Sequence, residues 1–167
     1  MTNDNLLGAD ALKAAFRRHA SGISIITGAD EGRPFGFTAS SATSLGSNPP
    51  LVSLNIAQGS SSYPLMNKGR LLGLHVLGSD NLELAQQMAG PKESRFASSY
   101  TIMDEGVPVF DSVSAVLFIR IREVIDIEKN AVVVCDVVSG KEMHEQSPIT
   151  YFNRGYHEIG NRLADNY

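Results

Sequence analysis

Two long segments rich in apolar and β-branched residues, Val113–Val124 and Ala131–Val138, are joined by one short polar segment, Asp126–Asn130. Val and Ile lose side-chain freedom in a helix and pack well on a pleated surface, so both runs predict strands. The joining segment is too short for the helix that a parallel crossover needs, which makes the pair an antiparallel hairpin. Apolar residues fall on both faces of these strands, more than one face of a small barrel needs. The rest of the chain, or a second copy of it, must therefore cover both sides.

Further strands are predicted at Ile23–Thr27, at Phe35–Ser44 after a turn over Gly28–Pro34, and at Leu71–Leu77 and Ile149–Tyr156. Leu51–Ile56 follows the chain-breaking Asn48-Pro49-Pro50 and alternates Val52, Leu54 and Ile56 with Ser53 and Asn55, a strand with one buried face. Helical spacing is brief. Leu12, Ala15, Phe16 and His19 mark a helix over Asp10–His19 with Asp10 as N-cap. A second helix starts at Asp80 as N-cap, carries Leu82, Ala85 and Met88, and stops at Gly90-Pro91. Strands and helices do not alternate regularly, which excludes a doubly wound parallel sheet. The expected fold is mainly β with short helices: an antiparallel barrel with helical insertions, one domain over 1–167.

The 14 basic and 18 acidic side chains leave a formal charge of −4 with no Lys or Arg run, so neither nucleic acid nor an anionic membrane is an expected partner. Apolar runs such as Ala115–Ile119 and Ala131–Cys135 fall far short of the ~20 residues that span a bilayer. Met1–Asn5 carries an acid where a signal peptide would be basic, which predicts a cytoplasmic protein. Cys135 is the only cysteine and sits in an apolar run, as a buried core residue would. With it alone and the four histidines scattered, no metal site is expected. Gly28, Gly32 and Gly36 recur every fourth residue, unlike a dinucleotide-binding turn, and no phosphate-binding Gly-Lys loop or serine nucleophile elbow is present.

Two hydroxyl clusters stand out: Thr38-Ala39-Ser40-Ser41-Ala42-Thr43-Ser44 and Ser60-Ser61-Ser62. In one extended strand, Thr38, Ser40 and Ser44 would point one way and Ser41 and Thr43 the other, without bulk on either face. A flat heterocycle with acceptors along its edge could lie against such a surface, as could solvent. The serines before Tyr63-Pro64-Leu65-Met66 either cap a single helical turn or hold a phosphate at its start.

The series Phe16-Arg17-Arg18, Ser21-Gly22-Ile23-Ser24-Ile25-Ile26-Thr27, Gly36-Phe37-Thr38-Ala39-Ser40-Ser41 and Asn48-Pro49-Pro50-Leu51-Val52 resembles the flavin reductase-like family of split β-barrels. Asn55 with Ser60-Ser61, Arg70–Leu77, Arg95-Phe96, and Pro148, Tyr151 and Gly155-Tyr156-His157 extend the likeness across 12–157. The resemblance implies a split antiparallel barrel of the FMN-binding, Greek-key-like type and a homodimer. Its members include NAD(P)H:flavin oxidoreductases that supply reduced flavin to a partner monooxygenase. It also implies that Thr38, Ala39, Ser40 and Ser41 contact the isoalloxazine and ribityl parts of FMN or FAD. Asn55, Ser60, Ser61 and Ser62 would receive the ribityl and phosphate groups, and Arg95 would complement the phosphate.

Asn153, Gly155, Tyr156 and His157 resemble the segment beside the nicotinamide of NADH or NADPH. Asn130, in Glu128-Lys129-Asn130, stands where many relatives have the histidine of Gly-Asp-His, and it cannot titrate near neutrality. His75 takes a place where relatives often have asparagine and is expected to be structural. Hydride transfer between stacked rings needs no nucleophile or metal, so no catalytic side chain is expected. The Asn130 departure favours a rival reading, a flavin-binding carrier or sensor without turnover. An oxidase of pyridoxamine-phosphate type would want a basic cluster that the sequence does not display.

Overall fold

The computed structural model describes residues 7–164; the Met1–Asn5 segment lies outside them. The chain begins with α1 (Gly8–Phe16), β1 (Ser21–Gly22), β2 (Ser24–Asp30), β3 (Arg33–Ala39), β4 (Thr43–Ser47) and β5 (Pro50–Ala57). A 3-10 turn at Tyr63–Leu65 leads to β6 (Leu71–Val76), a second at Ser79–Asn81 to α2 (Leu82–Ala89), and a third follows at Lys92–Ser94. After β7 (Thr101–Ile102) and β8 (Pro108–Val109) come the long strands β9 (Ala115–Ile127) and β10 (Asn130–Glu142), then β11 (Ile149–Phe152) and β12 (Gly155–Glu158).

Seven strands form one antiparallel sheet in the order β3-β2-β6-β9-β10-β5-β4. β3 and β4 are consecutive in sequence yet lie at opposite edges, joined only by residues 40–42. Laid flat, strands about 4.8 Å apart would separate those edges by roughly 29 Å, whereas the four backbone steps from Ala39 to Thr43 reach at most about 14 Å. The sheet must therefore curl until its edges approach, and no ladder between β3 and β4 closes it. Ser41 secures the crossing: its Oγ accepts the Asn55 N–H at 3.0 Å and lies 3.3 Å from the Asn55 carbonyl.

Curling gives the sheet two buried faces. Ile26, Leu54, Leu72, Ile119, Val133 and Cys135 fill one cluster. Ile25, Leu77, Met88, Phe110 and Val116 fill the other, with α2 and the β8 segment packed over it. Adjacent residues Ile25 and Ile26 thus enter different cores, which is why β2 is buried without a break from Ser24 to Gly28. Burial pushes the Cys135 thiol up to about 12. A thiol reagent at neutral pH is therefore expected to label no group in the native protein and one after unfolding, and rapid native labelling would contradict this burial.

Several local expectations are corrected. The β2–β3 turn is only Glu31-Gly32, both in the left-handed region, so Gly28 and Pro34 belong to strands. Phe35–Ser44 is two strands, because the chain leaves one sheet edge at Ala39 to cross to the other. The β9–β10 loop is Glu128-Lys129 alone, and Ile149–Tyr156 is itself a hairpin. Asp80 is not the helix cap: the Asn81 side chain accepts the Gly78 N–H at 2.9 Å and donates to the Ser112 carbonyl, so this amide ties the start of α2 to the Ser112 segment, where an aspartate could not donate. α1 starts at Gly8 with no side-chain cap, leaving Asp10 inside its first turn.

Candidate functional site

The curl brings the two hydroxyl clusters together. Thr38, Ala39, Ser40, Ser41, Asn55 and Ser60 line one cavity of about 360 Å³ on the open side of the sheet. Arg95 enters it from beyond α2, and Met88 and Ala89 at the end of that helix form the facing wall. Those two were legible only as a helical apolar stripe, since nothing in their spacing tells a core face from a cavity wall.

Several of the hydroxyls also hold the scaffold. Thr38 Oγ1 donates to the Ala85 carbonyl at 2.7 Å, which fixes α2 to β3. Ser41 is committed to Asn55, as above. Ser60 Oγ accepts the Ser62 N–H at 3.2 Å, a local bond ahead of the Tyr63–Leu65 turn, which has no side-chain cap, and Ser62 is buried at 3% exposure. Ser40 and Ser61 are exposed. Ser61 and Ser62 face a neighbouring cavity, which also contains Arg95.

Arg95 is held in place by two carbonyls. Its Nε donates to the Gly90 carbonyl at 3.0 Å and its Nη1 to the Gly36 carbonyl at 2.9 Å. A guanidinium has five N–H donors in a rigid plane, so donors remain beyond these two in a residue that lines both cavities. Small side chains that let a flat ring approach the backbone, hydroxyl and amide groups, and one fixed cation form a donor set suited to a polar heterocycle carrying a phosphate. A flavin mononucleotide has those features.

The second set of expected residues is not gathered there. Asn130 opens β10, pairs with Ala57 of the cavity wall and accepts Gln58 Nε2 on its carbonyl at 3.1 Å. Asn153, Gly155, Tyr156 and His157 belong to a separate three-stranded sheet, β1-β11-β12. Asn153 and Arg154 form its left-handed turn, a conformation asparagine tolerates well, and the Asn153 N–H bonds the Arg17 carbonyl at 3.1 Å. Tyr156 packs edge-on against Tyr151 with centroids 5.3 Å apart, and its partial burial raises the phenol pKa. His157 Nε2 lies 3.2 Å from the Phe152 carbonyl.

His75 is structural, as expected. It is fully buried with both ring nitrogens engaged, Nδ1 at 3.1 Å from the Ile25 carbonyl and Nε2 accepting the Phe110 N–H at 3.3 Å. Because a backbone N–H can only donate, the proton must sit on Nδ1, and the ring is neutral.

The flavin reductase like domain matches residues 16–160. An NADH:FMN oxidoreductase of Rhodococcus qingshengii is 35% identical over 124 residues, 73% of this chain and 65% of that protein's length, so the likeness spans just under two thirds of that relative. The reductase component of a 4-nitrophenol 4-monooxygenase/4-nitrocatechol 2-monooxygenase from Rhodococcus opacus is 29% identical over 144 residues, covering 84% of this chain and 77% of that one. Among solved structures, a flavin reductase domain protein from Arthrobacter sp. FB24 is 36% identical with a TM-score of 0.89, covering 95% of this chain and 100% of the other. The matched span includes both hydroxyl clusters, Arg95 and the β9–β10 hairpin, and this chain belongs to the flavin reductase-like family.

Proposed function

We propose that this protein is an NAD(P)H:flavin oxidoreductase that binds FMN or FAD in the hydroxyl-lined cavity and delivers reduced flavin to a monooxygenase. The observation that carries the reading is the convergence of Thr38–Ser41, Asn55, Ser60 and the fixed Arg95 on one cavity. Bound flavin supplies the acceptor for a hydride from the nicotinamide. The chain's own part is placement. Residues 38–41 form a low wall with no side chain bulky enough to hold a ring off the backbone. Asn55, Ser60 and Ser61 offer polar groups to the ribityl and phosphate end, and Arg95 neutralises the phosphate. Asn130, Asn153, Gly155, Tyr156 and His157 are assigned to the nicotinamide side, Asn130 from the hairpin beside the cavity and the others from the second sheet. The names of the Rhodococcus relatives support both the reductant and a monooxygenase as recipient.

The curled sheet, open between β3 and β4, is the split barrel of the FMN-binding type in this reading. The protein acts in the cytoplasm as a homodimer. Leu45, Ile125, Ile127 and Val138 are 42–55% exposed on β4, β9 and β10, apolar surface that a second copy would cover. Sedimentation at the monomer mass at micromolar concentration overturns the dimer.

Anaerobic mixing with FMN or FAD and then NADH or NADPH tests the reaction: multiple-turnover bleaching of the flavin band is expected. Tight flavin binding without bleaching by either nucleotide would instead support the carrier reading, with Asn130 in place of a titrating histidine as its cause. For the phosphate assignment, Arg95→Gln is expected to weaken FMN binding about tenfold, since charge-assisted bonds contribute about 1.5–3 kcal/mol. Riboflavin, which lacks the phosphate, should bind the variant and the parent alike. Equal losses for both flavins would make Arg95 merely structural.

A further inference from the structure

The long β9–β10 hairpin outruns its neighbours. β6 pairs with β9 only as far as Leu71 opposite Arg120, so from Arg122 to Ile127 β9 has no strand on its outer side among the described residues. On the inner side β5 follows β10 to its start, where Ala57 pairs with Asn130, while β4 pairs with β5 no farther than Ser53. The Glu128-Lys129 turn and Asn130 therefore stand at the end of a sheet narrowed to three strands. Backbone pairing fixes their register there, but a free β9 edge restrains bending little.

The segment around the second hydroxyl cluster supplies the restraint. Gln58 donates its N–H to the Lys129 carbonyl at 2.9 Å and its Nε2 to the Asn130 carbonyl at 3.1 Å. Tyr63, in the turn directly after Ser60-Ser61-Ser62, donates its hydroxyl to Asp126 Oδ1 at 2.7 Å. That hydrogen bond, foremost, holds the Tyr63 phenol above its ordinary value of 10.0, so the hydroxyl keeps its proton and remains a donor. The turn is itself anchored: the Tyr63 N–H bonds the Ser60 carbonyl at 3.1 Å, and the Ser60 N–H bonds the Ala57 carbonyl at 2.9 Å. The Tyr63 ring and Val124 pack against the same core cluster as Leu54 and Val133. Only the hydroxyl therefore reaches out to the unsupported edge.

We propose that Tyr63 is a positioning residue for the reductant: through Asp126 it holds the free edge of β9 and so sets where the hairpin presents Asn130 to the nicotinamide. The inference rests on the reductase reading and on the place that reading gives Asn130. Neither Tyr63 nor Asp126 lines the hydroxyl-lined cavity, so flavin binding does not depend on their bond. A hairpin free to bend must be ordered when the nicotinamide arrives, which weakens binding of the reductant and leaves the hydride step itself unchanged.

The test is steady-state kinetics with NADH at saturating FMN, beside equilibrium FMN titration without NADH. The variants are Tyr63→Phe, which keeps the ring, Asp126→Ala, Asp126→Asn, and Tyr63→Phe combined with Asp126→Ala. Tyr63→Phe and Asp126→Ala are each expected to raise the KM for NADH about fivefold, with kcat and FMN affinity within about twofold of the parent. Asp126→Asn retains an acceptor oxygen and should stay within about twofold of the parent throughout. The double variant should be no worse than either single change, because both remove one bond. An unchanged KM in Tyr63→Phe or Asp126→Ala overturns the inference, as does an Asp126→Asn variant as impaired as Asp126→Ala. FMN affinity lowered by the same factor also overturns it, since the bond would then serve the serines rather than the hairpin. A parent that does not bleach FMN with NADH overturns the reductase reading itself, and this inference with it.

Discussion

Between pH 7.5 and pH 5 the protein is expected to lose about 2 kcal/mol of stability through His75 alone. Burial, the dominant cause, holds this imidazole down to about 4, and the Ile25 carbonyl and the charge of Asp111 only partly oppose it. The ordinary value in the unfolded chain is 6.5, so between the two values the unfolded state binds a proton that the native state refuses. Stability therefore rises with pH through that window: the contribution is complete above 6.5 and falls away as the pH drops toward 4. The full loss is about 3 kcal/mol, reached near the lower value. The structure supplies the reason for the refusal, because a second proton on Nε2 would face the Phe110 N–H, itself a donor. Urea unfolding of the parent and of His75→Gln at both pH values checks this. The variant should be less stable at neutral pH yet show about 2 kcal/mol less dependence on pH, and identical pH dependence would refute it.

The second large effect is expected at Gly36. A Cβ there would lie 2.5 Å from the Ile26 carbonyl oxygen and 2.8 Å from Met88 Cε. The first neighbour is backbone of the paired strand β2 and cannot swing aside, so Gly36→Ala must displace β3 from β2 or from α2. Overpacking of this kind costs about 3 kcal/mol. The same residue's carbonyl anchors Arg95, so the displacement reaches the candidate site. FMN should bind the variant several-fold more weakly under conditions where it remains folded. Gly59→Ala is the comparison, since nothing lies within 4 Å of its Cβ position. It is expected to shift stability by no more than about 0.5 kcal/mol. A thermal melt of Gly36→Ala that coincides with the parent's would show that the strands can separate without cost.

Pattern alone located most strands. Ile25-Ile26 and Val116–Ile119 are apolar on both faces because neither face is open to solvent, and this is visible in composition before any contact is known. Asp30, Arg33 and Asp126 read as loop because they are polar strand residues near hairpin ends, where no core enforces the alternation. Asp80 and Asn81 are equally plausible helix starts in sequence, and only the distant Ser112 carbonyl favours the amide. At the site, the hydroxyl clusters were legible as unusual chemistry in strand-like segments. That Thr38 and Ser41 spend their hydroxyls on Ala85 and Asn55 was not, since both partners lie many residues away.

The sequence by itself determined a β-rich chain with brief helices, a lone buried thiol, and two clusters of small hydroxyls on either side of Leu51–Ile56. Their identities follow from steric preference and hydrophobic spacing, which act over a few residues. Only the tertiary structure decided that three residues between β3 and β4 must curl seven strands until those clusters meet. It also decided that Arg95 is pinned where two cavities join, and that Asn153–His157 stand on another sheet. Those outcomes depend on chain crossing and on hydrogen bonds between distant segments, and no local pattern encodes either.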